Sequence, residues 1–105
     1  MTDIISVYIV CANQEEANTI AQHLVQEKLA ACVNILPNIT SYYWWEEKVQ
    51  NSREIVMLAK TKQEKFEALK DRVLQLHSYE TPCVMALNIA AVEEKYLNWI
   101  KSELR

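Results

Sequence analysis

An α+β fold is predicted, with the element order β-α-β-β-α-β followed by one more helix. Three observations carry this. Short runs rich in β-branched and aromatic residues alternate with two stretches whose apolar residues recur at helical spacing. Two of those runs follow one another with only a turn between them, as in a hairpin. No linker, repeat or low-complexity segment breaks the 105 residues, so the chain reads as a single domain over 1–105.

The first run, Ile4-Ile5-Ser6-Val7-Tyr8-Ile9-Val10-Cys11, suits a strand buried on both faces. Asn13 followed by Glu16 has the form of a helix N-cap with its acidic partner. Ala17, Ile20, Ala21, Leu24, Val25 and Leu29 then keep helical spacing, which predicts an amphipathic helix over 14–29. A second strand starts at Cys32, meets Pro37, and resumes through Ile39 to Trp45. Proline cannot donate to a ladder, so an edge position or a bulge is expected there. Gln50-Asn51-Ser52 is the turn signal before the next strand, Glu54–Ala59. Thr61 with Glu64 is expected to cap a second helix with the stripe Phe66, Leu69, Val73 and Leu76. The corner "LHSYETP" follows, then a strand from Cys83 to about Ala90. A last helix carries Tyr96, Leu97, Ile100 and Leu104. Two right-handed crossovers joined by a hairpin give the ferredoxin-like arrangement, with the second strand at an edge and one sheet face in need of a cover.

Composition removes several function classes. A net charge of −3 and the lack of a basic cluster argue against nucleic acid as a partner. No apolar run approaches the ~20 residues of a membrane span, and Met1-Thr2-Asp3 is not a basic leader. Three widely spaced cysteines fit neither a zinc knuckle nor a redox pair, so a reduced, soluble, cytoplasmic protein is expected. The chain contains no glycine, which excludes the usual phosphate-binding loops and nucleophile elbows. Cys11, His77 and Glu80 can be drawn as a cysteine–histidine pair with an orienting carboxylate. Nothing supplies an oxyanion hole for it, so an enzyme is not expected.

"SYYWWEEK" sends Tyr42 and Trp44 to one side of a strand and Tyr43 and Trp45 to the other. A two-layer domain buries only one sheet face. The rings therefore pack along their own hairpin partner, dock against another copy, or stack on nucleic acid, which Glu46 and Glu47 would repel; a ring of three copies closes docking contacts without a free edge.

The segments "EKLAACVNILPNITSYYWWEEK", "EIVMLAKT", "HSYETP" and "YLNW" resemble, in order and spacing from Ile5 to Trp99, the CutA family of divalent-cation tolerance proteins. The resemblance implies a non-enzymatic, cytoplasmic homotrimer built by long hairpins. It also implies metal ligands, copper foremost, at the end of the first strand and at the histidine corner: Cys11 and His77 here. Thiolate and imidazole suit Cu(I) and zinc, but two ligands are fewer than the four of a structural zinc site, so Glu80 or a neighbouring subunit would have to complete the shell. Three positions depart from the family pattern: Glu47 where a glycine is usual, Ser78 where a proline is usual, and Leu76 where some members pair a second histidine. The bland readings are a buried, inert Cys11 and a His77 that complements the end of its helix. A trimer like the PII signal transducers, sensing a small molecule between subunits, is the alternative function.

Overall fold

The computed structural model describes residues 2–105. Strands β1 (Ile4–Cys11), β2 (Cys32–Trp45), β3 (Lys48–Lys62) and β4 (Val84–Asn88) form one antiparallel sheet in the order β2-β3-β1-β4. Helices α1 (Gln14–Gln26) and α2 (Phe66–Leu76) cover one face, and α3 (Glu94–Glu103) packs at one end of the other. The expected ferredoxin-like order is therefore present, with β2 at an edge.

Alternation along the strands decides what lies inside. Ile5, Val7, Ile9 and Cys11 of β1 face the helices beside Met57 and Ala59 of β3, and they pack with Ile20 and Leu24 of α1 and Leu69 and Val73 of α2. Ile4, one residue out of phase, joins Ile100 and Leu104 of α3 on the opposite side. Beyond α3 that opposite face is uncovered: Leu36, Met85 and Leu87 are exposed there, around half-buried Tyr8, Val10 and Leu58.

Three local expectations are corrected. The first helix stops at Gln26, short of residue 29, because Lys28 adopts φ 61 and the chain turns back. The Leu29 and Lys28 N–H groups then bond the carbonyls of Leu24 and Val25, the Schellman pattern that usually requires glycine. Thr61 caps no helix. It lies buried in β3 with its hydroxyl donating to the Leu29 carbonyl at 2.7 Å, and α2 starts from a short 3₁₀ turn, Gln63–Lys65, without a side-chain cap.

The hairpin turn is not at Gln50-Asn51-Ser52, which lie within β3. Trp45 pairs with Lys48, leaving a two-residue turn of Glu46 and Glu47 at φ 50 and 64. Positive φ at both central positions is the type I′ geometry that matches strand twist. The bulge expected at Pro37 is present: pairing passes from Leu36–Val56 to Ile39–Glu54, with Asn38 at φ 61. The long hairpin projects from the body. It stretches the chain to 45 × 25 × 23 Å and raises the radius of gyration to 14.3 Å, against about 13 Å for a compact chain of this length. Tyr42 and Trp44 on it are each 73% exposed, while Tyr43 and Trp45 on its other side are 41% and 44% exposed. The rings therefore do not bury one another along the hairpin.

Candidate metal centre at the histidine corner

Asn13 caps α1, its side-chain oxygen accepting the Glu16 N–H at 2.8 Å, and this fixes Glu16 in the first helical turn. From there the Glu16 carboxylate accepts two backbone N–H groups. One is Ala12, at the end of β1, at 2.8 Å; the other is Ser78, beyond α2, at 2.7 Å. A single side chain thus ties the end of β1 to the corner beyond α2, reaching 62 residues along the chain from Glu16 to Ser78. The Ser78 bond gives one family departure a physical meaning, since a proline in that position has no N–H to donate.

His77 is the C-cap of α2, and its backbone N–H bonds the Val73 carbonyl at 2.9 Å. Its ring does not complement the helix end, as the sequence suggested. The extended backbone turns the imidazole toward β1, where Nε2 meets the Val10 carbonyl at 2.7 Å and Nδ1 accepts the Tyr79 N–H at 3.1 Å. A carbonyl only accepts and an amide only donates, so these bonds assign the Nε2–H tautomer. The side chain is fully buried and tilted against the Tyr79 ring, centroids 4.8 Å apart. Tyr79 in turn donates its hydroxyl to Glu54 at 2.6 Å.

Cys11, at the end of β1, is fully buried, and the structure brings it to His77, the pair that the family resemblance implied. Glu16 is the third member, a residue the sequence singled out only as a capping partner. The donor atoms of Cys11, Glu16 and His77 all lie within 4.8 Å of one another. Glu80 is exposed and lies outside this group. Leu76 packs against the core in place of a second histidine.

Thiol, imidazole and carboxylate together match a soft or borderline metal by type. Their availability is a separate matter. Burial, with the charges of Glu16 and Glu54 adding to it, pushes the Cys11 thiol up to about 12, so the sulfur holds its proton at neutral pH. Burial also raises the Glu16 carboxyl, but the Ala12 and Ser78 amides outweigh it and hold the group below its ordinary range. Both of its oxygens and both ring nitrogens of His77 already have partners. A metal here has to displace the thiol proton and at least one of the hydrogen bonds of His77. Cys32 and Cys83 are free and half-buried; Cys32 lies 3.1 Å from the Tyr96 hydroxyl and 3.8 Å from the Lys60 ammonium, far in the fold from this group.

With this geometry established, the chain can be set beside known proteins. Residues 5–103 match the family model described as CutA1 divalent ion tolerance protein. The divalent-cation tolerance protein CutA of Archaeoglobus fulgidus is 46% identical over 94 residues, covering 90% of this chain and 91% of that one. The protein of the same name from Thermus thermophilus is 45% identical over 95 residues, 90% and 92% of the two chains. The chloroplastic CutA of Arabidopsis thaliana is 46% identical over 101 residues, but this chain spans only 56% of its length. Among solved structures, the CutA of Archaeoglobus fulgidus, described as periplasmic, superimposes with a TM-score of 0.95 at 42% identity, covering 97% of this chain and 99% of that one. The CutA of Xylella fastidiosa gives 0.96 at 35% identity over 99% and 100%. The chain belongs to the CutA1 divalent ion tolerance family.

Proposed function

We propose that this protein serves tolerance to divalent cations as a non-enzymatic homotrimer, and that Cys11 and His77, with Glu16, are the residues through which one subunit takes a metal ion, copper foremost. The supporting observation is the cluster itself: three donor types converge within 4.8 Å at one corner. The engaged hydrogen bonds make the site conditional. The ion enters as the thiol proton leaves and the imidazole is released from Val10 or Tyr79, so affinity rises with pH. Assembly as a trimer is supported by the projecting aromatic hairpin and the uncovered sheet face, since exposed apolar surface of this extent marks an interface. Three free cysteines support a reducing compartment, which we take to be the cytoplasm.

A Cu(I) competition titration of the reduced protein tests the metal reading, with Cys11→Ser and His77→Ala alongside. Tight binding abolished in both variants supports it. Weak binding indifferent to both changes leaves a trimeric scaffold without a metal at this corner.

A second reading, a PII-like trimer that senses a small molecule, has its own observation. A groove of about 330 Å³ is lined by Lys62, Lys101 and Arg105 with Asp3, Asn98 and Ser102. Lys62 is paired with Glu64 at 3.4 Å, and Lys101 and Arg105 remain to meet a small anion. Thermal shifts with nucleotides or organic polyacids, and none with metals, favour that reading.

A further inference from the structure

Glu54 is only 7% exposed, although it lies on the sheet face opposite α1 and α2, where Tyr79 packs against it. Its register explains the position. It lies opposite Ile39, just past the bulge, and shares the outward phase of Val56, which pairs with exposed Leu36. One carboxylate oxygen, Oε2, accepts the Tyr79 hydroxyl at 2.6 Å. Among the described residues no donor reaches Oε1, and no ammonium or guanidinium comes within 4.0 Å of the group. No buried side-chain oxygen among the described residues is left without a partner, so Oε1 keeps its contact with solvent, and any surface docking over it has to replace that water with a donor.

The subunit carries two cations on the element that most needs a surface to dock on. Lys48 and Arg53 lie on the projecting hairpin, each with no acidic partner among the described residues. Arg53 follows Tyr42, Trp44 and Val49 on the more exposed side of the ribbon; Lys48 pairs with Trp45 on the other. Aromatic rings and a free cation on the hairpin complement apolar residues and a cation-less acid on the open face.

We infer that the open sheet face is an interface between copies of this chain in which Glu54 receives a hairpin cation, Lys48 or Arg53, from the neighbouring copy. This rests on the homotrimer reading and adds to it a residue pair that no single subunit can form. Docking the apolar hairpin strips the remaining water from Glu54, so the cation and the rings are needed together. Tyr79 is the positioning residue: it holds Oε2 and leaves Oε1 facing the neighbour.

Sedimentation over a dilution series tests this on the wild type, on Glu54→Gln, Lys48→Gln and Arg53→Gln, and on the two double variants. The wild type is expected to be a trimer. Glu54→Gln should raise the concentration of half-dissociation at least tenfold, and one of the two cation variants should add nothing further when combined with it. A monomeric wild type overturns the inference together with the trimer reading. A trimer that Glu54→Gln leaves as tight as before, or two strictly additive pairs, overturns the inference alone. Should Glu54→Gln fail to fold, a crystal structure of the wild-type trimer decides. A neighbour's nitrogen within about 4 Å of the Glu54 carboxylate supports the pairing, and a carboxylate meeting only its own subunit refutes it.

Discussion

On the side of the sheet toward α1 and α2, Ile9, Met57 and Leu24 have no exposed surface, and the acid that reaches that side's rim, Glu16, has both oxygens bonded. On the other side Met85 and Leu87 remain 53% and 44% exposed, and the buried acid, Glu54, has one bond and no cation. The same four strands build both surfaces, so strand propensity cannot account for the difference. It lies in what each face meets: the first is covered within the chain, and the second is left largely open. The subunit is folded on one side and unfinished on the other.

The largest expected effect breaks the unfinished side. Trp44→Arg places a charge among the most exposed rings of the hairpin and should yield a folded monomer. Light scattering reports the mass, and an unchanged far-ultraviolet dichroism shows that the helical face is intact. A variant that keeps the trimer mass would show that Trp44 lies outside the contact.

Breaking the finished side should do the reverse. Leu24 is fully buried between the sheet and the end of α1, so Leu24→Ala removes packing and leaves a cavity, at a cost of about 2–5 kcal/mol. Chemical denaturation in the wild-type and Trp44→Arg backgrounds should show the same loss, because Leu24 packs in the core of its own chain.

A smaller effect separates the two acids. The Glu16 carboxyl is held below its ordinary range in the folded state, so the unfolded chain takes up a proton first as pH falls. Its stabilising contribution is present above the unfolded carboxyl pKa and is lost as the pH drops through the lower folded value. Glu16→Gln keeps the shape but weakens two charge-assisted bonds, costing about 1–3 kcal/mol near pH 7 and progressively less toward pH 3. Melting temperatures at both pH values, in chelator so that no metal contributes, measure this. An equal loss at both would remove the ionised carboxylate from the explanation.

Much of this contrast was legible in the sequence. The helical stripe through Ile20 and Leu24 identified the helix that covers the finished face, because burial imposes a period on a chain, whereas the first strand read as buried on both faces and its Tyr8 and Val10 side is only partly covered. Cys11 and His77 were legible as a pair only through the family resemblance, and Glu16 only as a cap, since its bond to Ser78 spans 62 residues and has no local signal. Glu54 reads as one more polar residue opening a strand; its burial is set by register and by Tyr79, which arrives from another corner. The turn was misplaced for a related reason. Gln50-Asn51-Ser52 has turn chemistry but lies in a ladder fixed by the pairing on either side, while Glu46-Glu47 forms the turn with no propensity for it.

That turn supplies the finest test of how the unfinished element is held. This glycine-free chain places four residues at positive φ: Lys28, Asn38, Glu46 and Glu47. Asparagine tolerates the left-handed region, whereas lysine and glutamate meet the Cβ clash that glycine avoids. At Lys28 the bonds to Leu24 and Val25 and the packing of Leu29 against the core oppose that strain. Glu46 and Glu47 have only the ladder behind them, at the tip of a ribbon with exposed rings. Glu47→Gly should therefore stabilise the Trp44→Arg monomer by about 1 kcal/mol, less the extra freedom glycine gives the unfolded chain. If trimerisation grips the hairpin tip, the same change should alter the intact assembly more than the monomer. An identical gain in both would place the tip in solvent and confine the contact to the rings and the sheet face behind them.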